Sequence, residues 1–335
     1  MNPIAISIGT NVIYYSGIVI GLAVAACFCI SYSLYTTYAG NGRALWVMLP
    51  FAVLFSVVLC RLIHWYCHAE QYSGLLGALT DYSAGGYVLP GAIFGTWLAA
   101  LLVKALGFTD NVPRLLDAVA PGAALGIAFI RLSSLFNNSC RAKIAIDNPK
   151  LQHLPLAAPV YTNSGSDYRF ATFFVQFIIM LIVFVWLYRF CCDRRGHPMK
   201  GSIPEDGHVA RLFLLIHSAV ELIMDSTRYD SSYMHFNGFV SIVQIVAALC
   251  ILGVFIYYSV NSVRTNGRRA YHVILWAVWF LSLVGVGLSE YYVQRHGDWY
   301  IKCYAVMAVS IIVMCAAVIR MYKSCCEARK RKVYN

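Results

Sequence analysis

The segment "LLDAVAPGAALGIAFIRLSSLFNNS", residues 115–139, places the charge of Arg131 after thirteen consecutive uncharged residues. The apolar run continues to residue 136, and a helix of this length can cross about 30 Å of hydrocarbon. A guanidinium group at the bilayer centre costs at least about 2.5–3.5 kcal/mol on insertion scales, and less near the headgroups. Arg131 is therefore either an interfacial anchor or part of a functional site.

Apolar stretches of similar length recur along the whole chain. Hydrophobic residues make up 60% of the 335 residues and charged residues 12%, against roughly 45–50% apolar residues in soluble domains. Nine spans are predicted, at residues 12–34, 45–66, 85–106, 115–136, 170–190, 209–224, 237–260, 271–289 and 302–322. Because open sheet edges are not stable in lipid, all of them should be helices. The sequence predicts an all-α polytopic membrane helix bundle, in which the sixth span is the weakest.

The distribution of basic residues predicts the orientation of the chain. With the N-terminus outside, and with the intramembrane Arg61 and Arg131 left out, seventeen Lys and Arg residues lie on the inner side and seven on the outer side, which favours this orientation and a cytoplasmic C-terminus. The net charge of +11 is thus explained by topology and by the basic tail, and does not indicate a nucleic-acid partner. The twelve cysteines lack the spacing of a zinc site, and no metal or cofactor is expected.

The predicted topology brings three arginines to one depth near the outer leaflet. Arg61 and Arg131 lie towards the outer ends of the second and fourth spans, and Arg228 precedes the outer start of the seventh. Gly86 and Gly91, at the outer start of the third span, lie at the same height. Because paired guanidinium forks match the oxygens of a phosphate, an anionic phospholipid headgroup is the expected ligand.

The glycine-rich start of the third span has two interpretations. Small residues four apart, such as Gly91 and Gly95, more often let helices pack closely than bind a ligand. Pro90, in contrast, leaves backbone carbonyls unpaired at membrane depth, which is tolerated beside protein or a water-filled cavity. Pro90 therefore favours a cavity at this position.

These segments resemble the bacterial prolipoprotein diacylglyceryl transferase family over roughly residues 10–260. The stretch "GGYVLPGAIFG" (85–95) is similar to the family's glycine-rich segment "GG...HGG..G". The segment 115–139 is similar to the family's signature "D..AP.......GR.GNF.NGE", with matches at Asp117, Pro121, Arg131, Phe136 and Asn137. "RFATFFVQF" resembles a third piece and retains Thr172, and "MDSTRYD...GFVSIVQI" resembles a fourth and retains Arg228, Asp230 and Gln244.

The resemblance implies a seven-helix membrane core, to which this chain adds two C-terminal transmembrane helices. The expected domains are the core at 1–263 and the helix pair with its basic tail at 264–335. The implied reaction transfers the diacylglyceryl group of phosphatidylglycerol to the lipobox cysteine of a prolipoprotein, at the outer leaflet of the bacterial plasma membrane. The implied partners are therefore phosphatidylglycerol and signal peptides with a lipobox cysteine.

The resemblance also assigns the candidate residues. Arg131 stands where the family binds the lipid phosphate, and Arg228 stands where its second essential arginine lies. The predicted catalytic residues are Arg131 and Arg228, and the predicted substrate-binding residues are Arg61, Gly86, Gly91, Asn137 and Asp230.

The chain departs from the family pattern at four positions. Pro90 replaces the family's histidine, Ser139 its glutamate, Ile130 the glycine before the arginine, and Ser16 a tyrosine near the first span. Since proline cannot act as an acid or base, another group must take a proton from the incoming thiol if the chain is active.

Several outer-side groups could replace the missing histidine. His68 is the candidate base, and His64, Tyr87, Asp225 and Asp230 are the other groups within the predicted outer region. Each has a plain alternative: His64 as an interface histidine, for example, and Asp225 as a helix-end partner of Arg228.

Three functions remain open from the sequence. The first is a divergent diacylglyceryl transferase, and the second is a catalytically degenerate relative that binds anionic phospholipid or a lipoprotein as a scaffold. A small-solute transporter ranks last, because neither repeated halves nor charges spread through the midplane are visible.

Overall fold

The computed structural model describes residues 4–8, 11–39, 41–80, 86–154, 156–162, 165–192, 205–234, 238–297 and 299–334. The helices are α1 (Tyr15–Ala39), α2 (Arg43–Cys67), α3 (Leu75–Thr80), α4 (Pro90–Ala105), α5 (Val112–Leu132), α6 (Pro149–Gln152), α7 (Thr172–Cys191), α8 (His208–Thr227), α9 (Ile242–Asn266), α10 (Ala270–Arg295) and α11 (Tyr300–Tyr334). Short 3-10 helices cover Ala69–Gln71 and Ser133–Phe136. The prediction of an all-α polytopic membrane bundle is confirmed.

Among the described residues, seven helices are long and apolar enough to cross a membrane: α1, α2, α5 with its 3-10 extension, α7, α9, α10 and α11. Two of the nine predicted spans do not correspond to any of these seven helices. The third is the shorter apolar helix α4, since the chain enters the helix only at Pro90. The sixth is α8, which carries His217 and Glu221 and is not among the seven.

Two antiparallel β-hairpins were missed by the sequence analysis. β1 (Ile4–Ile8) pairs with β2 (Asn11–Tyr14) directly before α1, where the first span had been predicted to begin at residue 12. β3 (Ala157–Thr162) pairs with β4 (Gly165–Phe170) between α5 and α7.

The chain divides into two compact units. The first comprises Met1–Phe213 and Thr227–Asp230, and the second comprises Leu214–Ser226 and Ser231–Asn335. The predicted domain boundary at 263/264 falls inside α9, and the helix first breaks at Gly267, whose φ is +71°. The division into domains 1–263 and 264–335 stays a prediction.

In the first unit, α5 is the central helix and is buried along most of its length, with α1 and α7 packed against it. Asn111 caps its start, where the side chain accepts a hydrogen bond from the amide of Arg114 at 3.0 Å. Near the same end, the buried Asp117 accepts hydrogen bonds from the amides of Gly207 (2.5 Å) and Ala210 (2.9 Å). Asp117 therefore accepts from backbone amides at the start of α8 that have no partner within the helix, and it connects the start of α8 to α5.

The second unit has its own apolar core between α8, α9, α10 and α11. Phe255 stacks on Trp279, with 5.7 Å between ring centroids. The start of α9 is fixed by a capping box, in which Ser241 accepts from the amide of Gln244 and Gln244 accepts from the amide of Ser241. Gln244, one of the residues that carried the family resemblance, also donates to the Leu222 carbonyl at 3.2 Å. Its position in the unit is thus fixed by structural contacts.

Two glycines allow α4 to approach α2 closely in the first unit. A Cβ atom at Gly91 would collide with the backbone of Leu59 and Cys60, and one at Gly95 with the backbone of Phe55 and Ser56. This geometry supports the interpretation that these two glycines serve close helix packing. A substrate-binding role for Gly91 stays a prediction.

We expect Gly91→Ala to lower the thermal stability of the purified protein, because the α2 backbone must move to admit the methyl group. Overpacking of this kind costs about 1–3 kcal/mol. Gly253→Ala on α9 is the matched control, since a Cβ there meets nothing within 4 Å. Equal unfolding temperatures for the two variants would contradict the close packing of α2 and α4.

Candidate active site

Arg131 lies in the last turn of α5, with 6% of its surface exposed. Its Nη1 donates a hydrogen bond to the Sγ of Cys140 at 3.3 Å. The chain reaches Cys140 through the 3-10 turn Ser133–Phe136 and an extended Asn137, and then folds back. Cys140 has φ +57°, the one positive φ of a non-glycine residue in the described part of the chain.

The turn between Asn137 and Arg141 is stabilised by hydrogen bonds among its own residues. The Oδ1 of Asn137 accepts from the amide of Ser139 at 2.9 Å, as in an Asx turn. The Nη1 of the buried Arg141 donates to the carbonyls of Asn137 and Ser139, the second at 3.2 Å. The side chain of Asn137 thus shapes the turn beside Arg131, and its predicted role in substrate binding stays untested.

Arg228 and Asp230 form a bidentate ion pair in the connection after α8. The Nε of Arg228 lies 3.0 Å from Oδ1 of Asp230, and Nη2 lies 3.1 Å from Oδ2. The same Oδ2 accepts a hydrogen bond from the backbone amide of Cys140 at 3.0 Å. Cys140 is therefore linked to both arginines, to Arg131 directly and to Arg228 through Asp230.

The protonation of Asp230 is set by these contacts. Burial alone would raise the pKa of its carboxyl group, but the charge of Arg228 and the hydrogen bonds from Arg228 and the Cys140 amide outweigh burial. The pKa of Asp230 is therefore lowered from its ordinary value. Asp230 is an anion at neutral pH, and its predicted alternative role as a base is poorly matched by this environment.

A small layer of extended chain fixes the segment that contains Arg228. Ala142 pairs with Arg228, and the amide of Tyr229 donates to the carbonyl of Arg141 at 3.0 Å. Arg169 on β4 donates to the carbonyls of Ala142 (3.2 Å) and Lys143 (2.5 Å), and its guanidinium lies 5.3 Å from the centre of the Tyr229 ring. Sequence reasoning counted Arg141 and Arg169 only as outer-loop charges. No spacing in the loop pointed to their carbonyl partners.

Arg61 is buried, with 1% exposure, in the region between α2 and α4. Its Nε donates to the Ala78 carbonyl at 2.9 Å, and its Nη1 lies 3.4 Å from the Gly86 carbonyl. The guanidinium also lies about 5.5 Å from the ring centres of Tyr72 and Tyr87. These contacts stabilise the connection between α2 and α4, and a role in substrate binding stays a prediction.

Gly86 has φ +83°, a conformation that favours glycine, and a Cβ there would lie 2.6–2.9 Å from the His64 ring. The predicted substrate-binding role of Gly86 therefore coincides with a position that the fold requires to be glycine. Gly85, the other glycine of the quoted segment, lies outside the described residues.

His64 and His68 stack on each other, with 4.3 Å between ring centroids. His64 Nδ1 lies 3.1 Å from the hydroxyl of Tyr72, and His68 Nδ1 lies 3.2 Å from the His64 carbonyl. When Nδ1 of His68 carries the proton, it donates to that carbonyl, and Nε2 is then the basic nitrogen. This arrangement fits His68 as a candidate base, a role that stays a prediction.

Pro90 is the first residue of α4, where its missing N–H costs no helical hydrogen bond. The fold thus accounts for a proline at position 90, and the alignment of Pro90 with the family's histidine stays a prediction.

The fold and the arginine cluster together define a polytopic membrane protein with buried guanidinium groups at one end of its central helix. Comparison with known proteins gives the family. Residues 3–260 match the Prolipoprotein diacylglyceryl transferase family, and the chain belongs to it. The matched region contains Arg131, Cys140, Arg228 and Asp230, whereas α10 and α11 lie beyond it.

Several curated relatives carry the name phosphatidylglycerol–prolipoprotein diacylglyceryl transferase. The chain is 29% identical to the one from Dehalococcoides mccartyi strain BAV1 over 143 residues, 42% of this chain. That match spans 53% of the relative, or about half its length. It is 25% identical to the Parasynechococcus marenigrum protein (68% of this chain, 80% of the relative) and 23% identical to the Clostridium kluyveri protein (79% and 100%).

The lowered pKa of Asp230 predicts how the Arg228–Asp230 pair responds to pH. Because the folded-state pKa lies below the unfolded value of about 3.9, the stability from this pair is fully present above that value and is lost as pH falls below it. The difference in unfolding temperature between the wild type and Asp230→Asn should be constant from pH 8 to pH 5 and should narrow below about pH 4.

The exposed Asp147 provides the control, since Asp147→Asn should leave the unfolding temperature unchanged throughout this range. A wild-type advantage over Asp230→Asn that disappears between pH 5 and pH 8 would contradict the assigned ion pair.

Proposed function

We propose that this protein transfers the diacylglyceryl group of phosphatidylglycerol to the lipobox cysteine of prolipoproteins. The names of its relatives carry both substrates. The observation in the chain itself that supports this function most is the chain of contacts that links Arg131 to Arg228 through Cys140 and Asp230. Two guanidinium groups from separate elements are suited to a single phosphate, which offers several oxygens as acceptors.

In the proposed reaction, the cysteine sulfur forms a bond to the glyceryl carbon of the lipid. The bond from that carbon to the phosphate oxygen breaks, and glycerol phosphate leaves with both electrons of the bond. Negative charge then increases on the phosphate oxygens. Arg131 and Arg228 would stabilise that charge without reorganising, because contacts with Cys140 and Asp230 already fix their positions.

The thiol must also lose its proton, since the thiolate is the nucleophile. His68 is the proposed acceptor, with Nε2 as the basic nitrogen when Nδ1 donates to the His64 carbonyl. The proposed location is the bacterial plasma membrane, with the N-terminus outside and the C-terminus in the cytoplasm, so that the arginine cluster faces the outer leaflet.

A second candidate is a degenerate relative that binds anionic phospholipid or a lipoprotein as a scaffold. Pro90 at the position of the family's histidine favours it, because proline has no ionisable group. Such a protein would retain phosphatidylglycerol through the same arginines without turning it over.

Two experiments distinguish the candidates: an assay of the transfer of labelled diacylglycerol to a lipobox peptide, and complementation of a host depleted of its own transferase. An enzyme should succeed in both, and a scaffold in neither. We expect transfer by the wild type and a loss of about a hundredfold in kcat for Arg131→Ala and Arg228→Ala, as when one preorganised donor is removed from an anion site. Arg131→Lys should recover little, because it keeps the charge and loses the fork.

The exposed Arg295 serves as the control, and Arg295→Ala should transfer at the wild-type rate. Gel filtration in detergent establishes that each variant is folded. Full activity in both Arg131→Ala and Arg228→Ala would contradict the site, and retention of phosphatidylglycerol without transfer by the wild type would favour the scaffold.

A further inference from the structure

Cys140 is the residue at which three separate elements of the first unit are joined. Its Sγ accepts a hydrogen bond from Arg131 on α5 at 3.3 Å. Its amide donates to Asp230 in the connection after α8 at 3.0 Å, and its carbonyl accepts from the amide of Phe173 at the start of α7, also at 3.0 Å. All three of its hydrogen-bonding groups thus have partners on different elements.

The backbone conformation of Cys140 separates the role of its sulfur from that of its main chain. At φ +57° a glycine would adopt the same backbone with less strain than a cysteine. The amide and carbonyl contacts to Asp230 and Phe173 require no side chain. What the cysteine adds is its Sγ, and that atom contacts Arg131.

The flanking residues fix the turn in which Cys140 lies. Arg141 donates to the carbonyls of Asn137 and Ser139 and lies with its guanidinium 5.5 Å from the centre of the Phe173 ring. The carbonyl of Arg141 accepts from the amide of Tyr229. With the turn fixed on both sides, the position of the sulfur, and through it that of Arg131, is determined relative to Asp230.

We propose that Cys140 is a positioning residue that sets the placement of the Arg131 guanidinium relative to that of Arg228. The path is short: Arg131 to the sulfur, the Cys140 amide to Asp230, and Asp230 to Arg228 by a bidentate pair. This inference rests on the proposed function, in which both guanidinium groups bind one lipid phosphate. Cys140 itself takes no part in the chemistry.

Three substitutions test the role of the sulfur. Cys140→Ala and Cys140→Gly remove the acceptor for Arg131, and we expect each to lower kcat about tenfold, with a smaller change in KM for phosphatidylglycerol. Cys140→Ser offers a hydroxyl oxygen to Arg131 and should recover most of the activity. Cys191→Ala, at a buried cysteine at the far end of α7, is the control and should transfer like the wild type.

Cys140→Gly distinguishes positioning from a structural role. Because glycine relieves the strain at positive φ, this variant should unfold at the wild-type temperature or above, and yet transfer slowly. A stable Cys140→Gly with wild-type kcat would overturn the proposal, as would equal losses in the Ala and Ser variants.

Retention of phosphatidylglycerol from nanodiscs separates a failure of this inference from a failure of the proposed function. If the wild type retains the lipid without transferring it, the proposed reaction fails, and a retention by Cys140→Gly that is measurably weaker, though by less than the tenfold loss expected for kcat, still supports the positioning role. Undiminished retention by Cys140→Gly would overturn it. A wild type that shows neither transfer nor retention would overturn both.

Discussion

The first unit depends on compensating guanidinium groups that are withdrawn from water. Arg61, Arg131 and Arg141 are each at most 6% exposed, and a buried charge without partners is strongly destabilising. The compensation is of three kinds: backbone carbonyls for Arg61 and Arg141, a sulfur for Arg131, and a carboxylate for Arg228. In the proposed function, the oxygens of a lipid phosphate are further acceptors for Arg131 and Arg228.

The central helix α5 connects the two ends of this arrangement. Asp117 lies at one end of the helix and caps α8. Arg131 lies fourteen residues, or about 21 Å, further along the same helix and contacts Cys140. The same helix therefore determines where α8 begins and where the turn that binds Asp230 lies. The segment 115–139 therefore contains both the residue that caps α8 and the arginine that contacts Cys140.

The sequence predicted the fold class because apolar length is a direct consequence of bilayer thickness, and seven of the nine spans coincide with helices of spanning length. It missed the β1–β2 and β3–β4 hairpins, since extended pairs of four to six residues in loops leave no long periodic pattern. It located the break after α9 only to within a few residues. Gly267, in the left-handed region, marks that break more sharply than the basic residues beside it.

The sequence identified those residues of the candidate site whose charge stands out beside apolar segments. It did not identify residues whose role depends on the backbone conformation. Arg131 and Arg228 stood out from composition and from the resemblance. Cys140 did not, because its importance comes from a positive φ and from three partners far apart in sequence. Gly91 shows the opposite case: its motif indicated a ligand or close packing, and the contact with the α2 backbone accounts for the glycine by packing.

An experimental structure of the protein in nanodiscs that contain phosphatidylglycerol would test the central claim most directly. The account predicts one lipid whose phosphate oxygens lie at hydrogen-bond distance, about 3 Å, from the guanidinium nitrogens of both Arg131 and Arg228, with Cys140 still in contact with Arg131. A headgroup bound by only one of these arginines, or bound elsewhere while the two point apart, would contradict it.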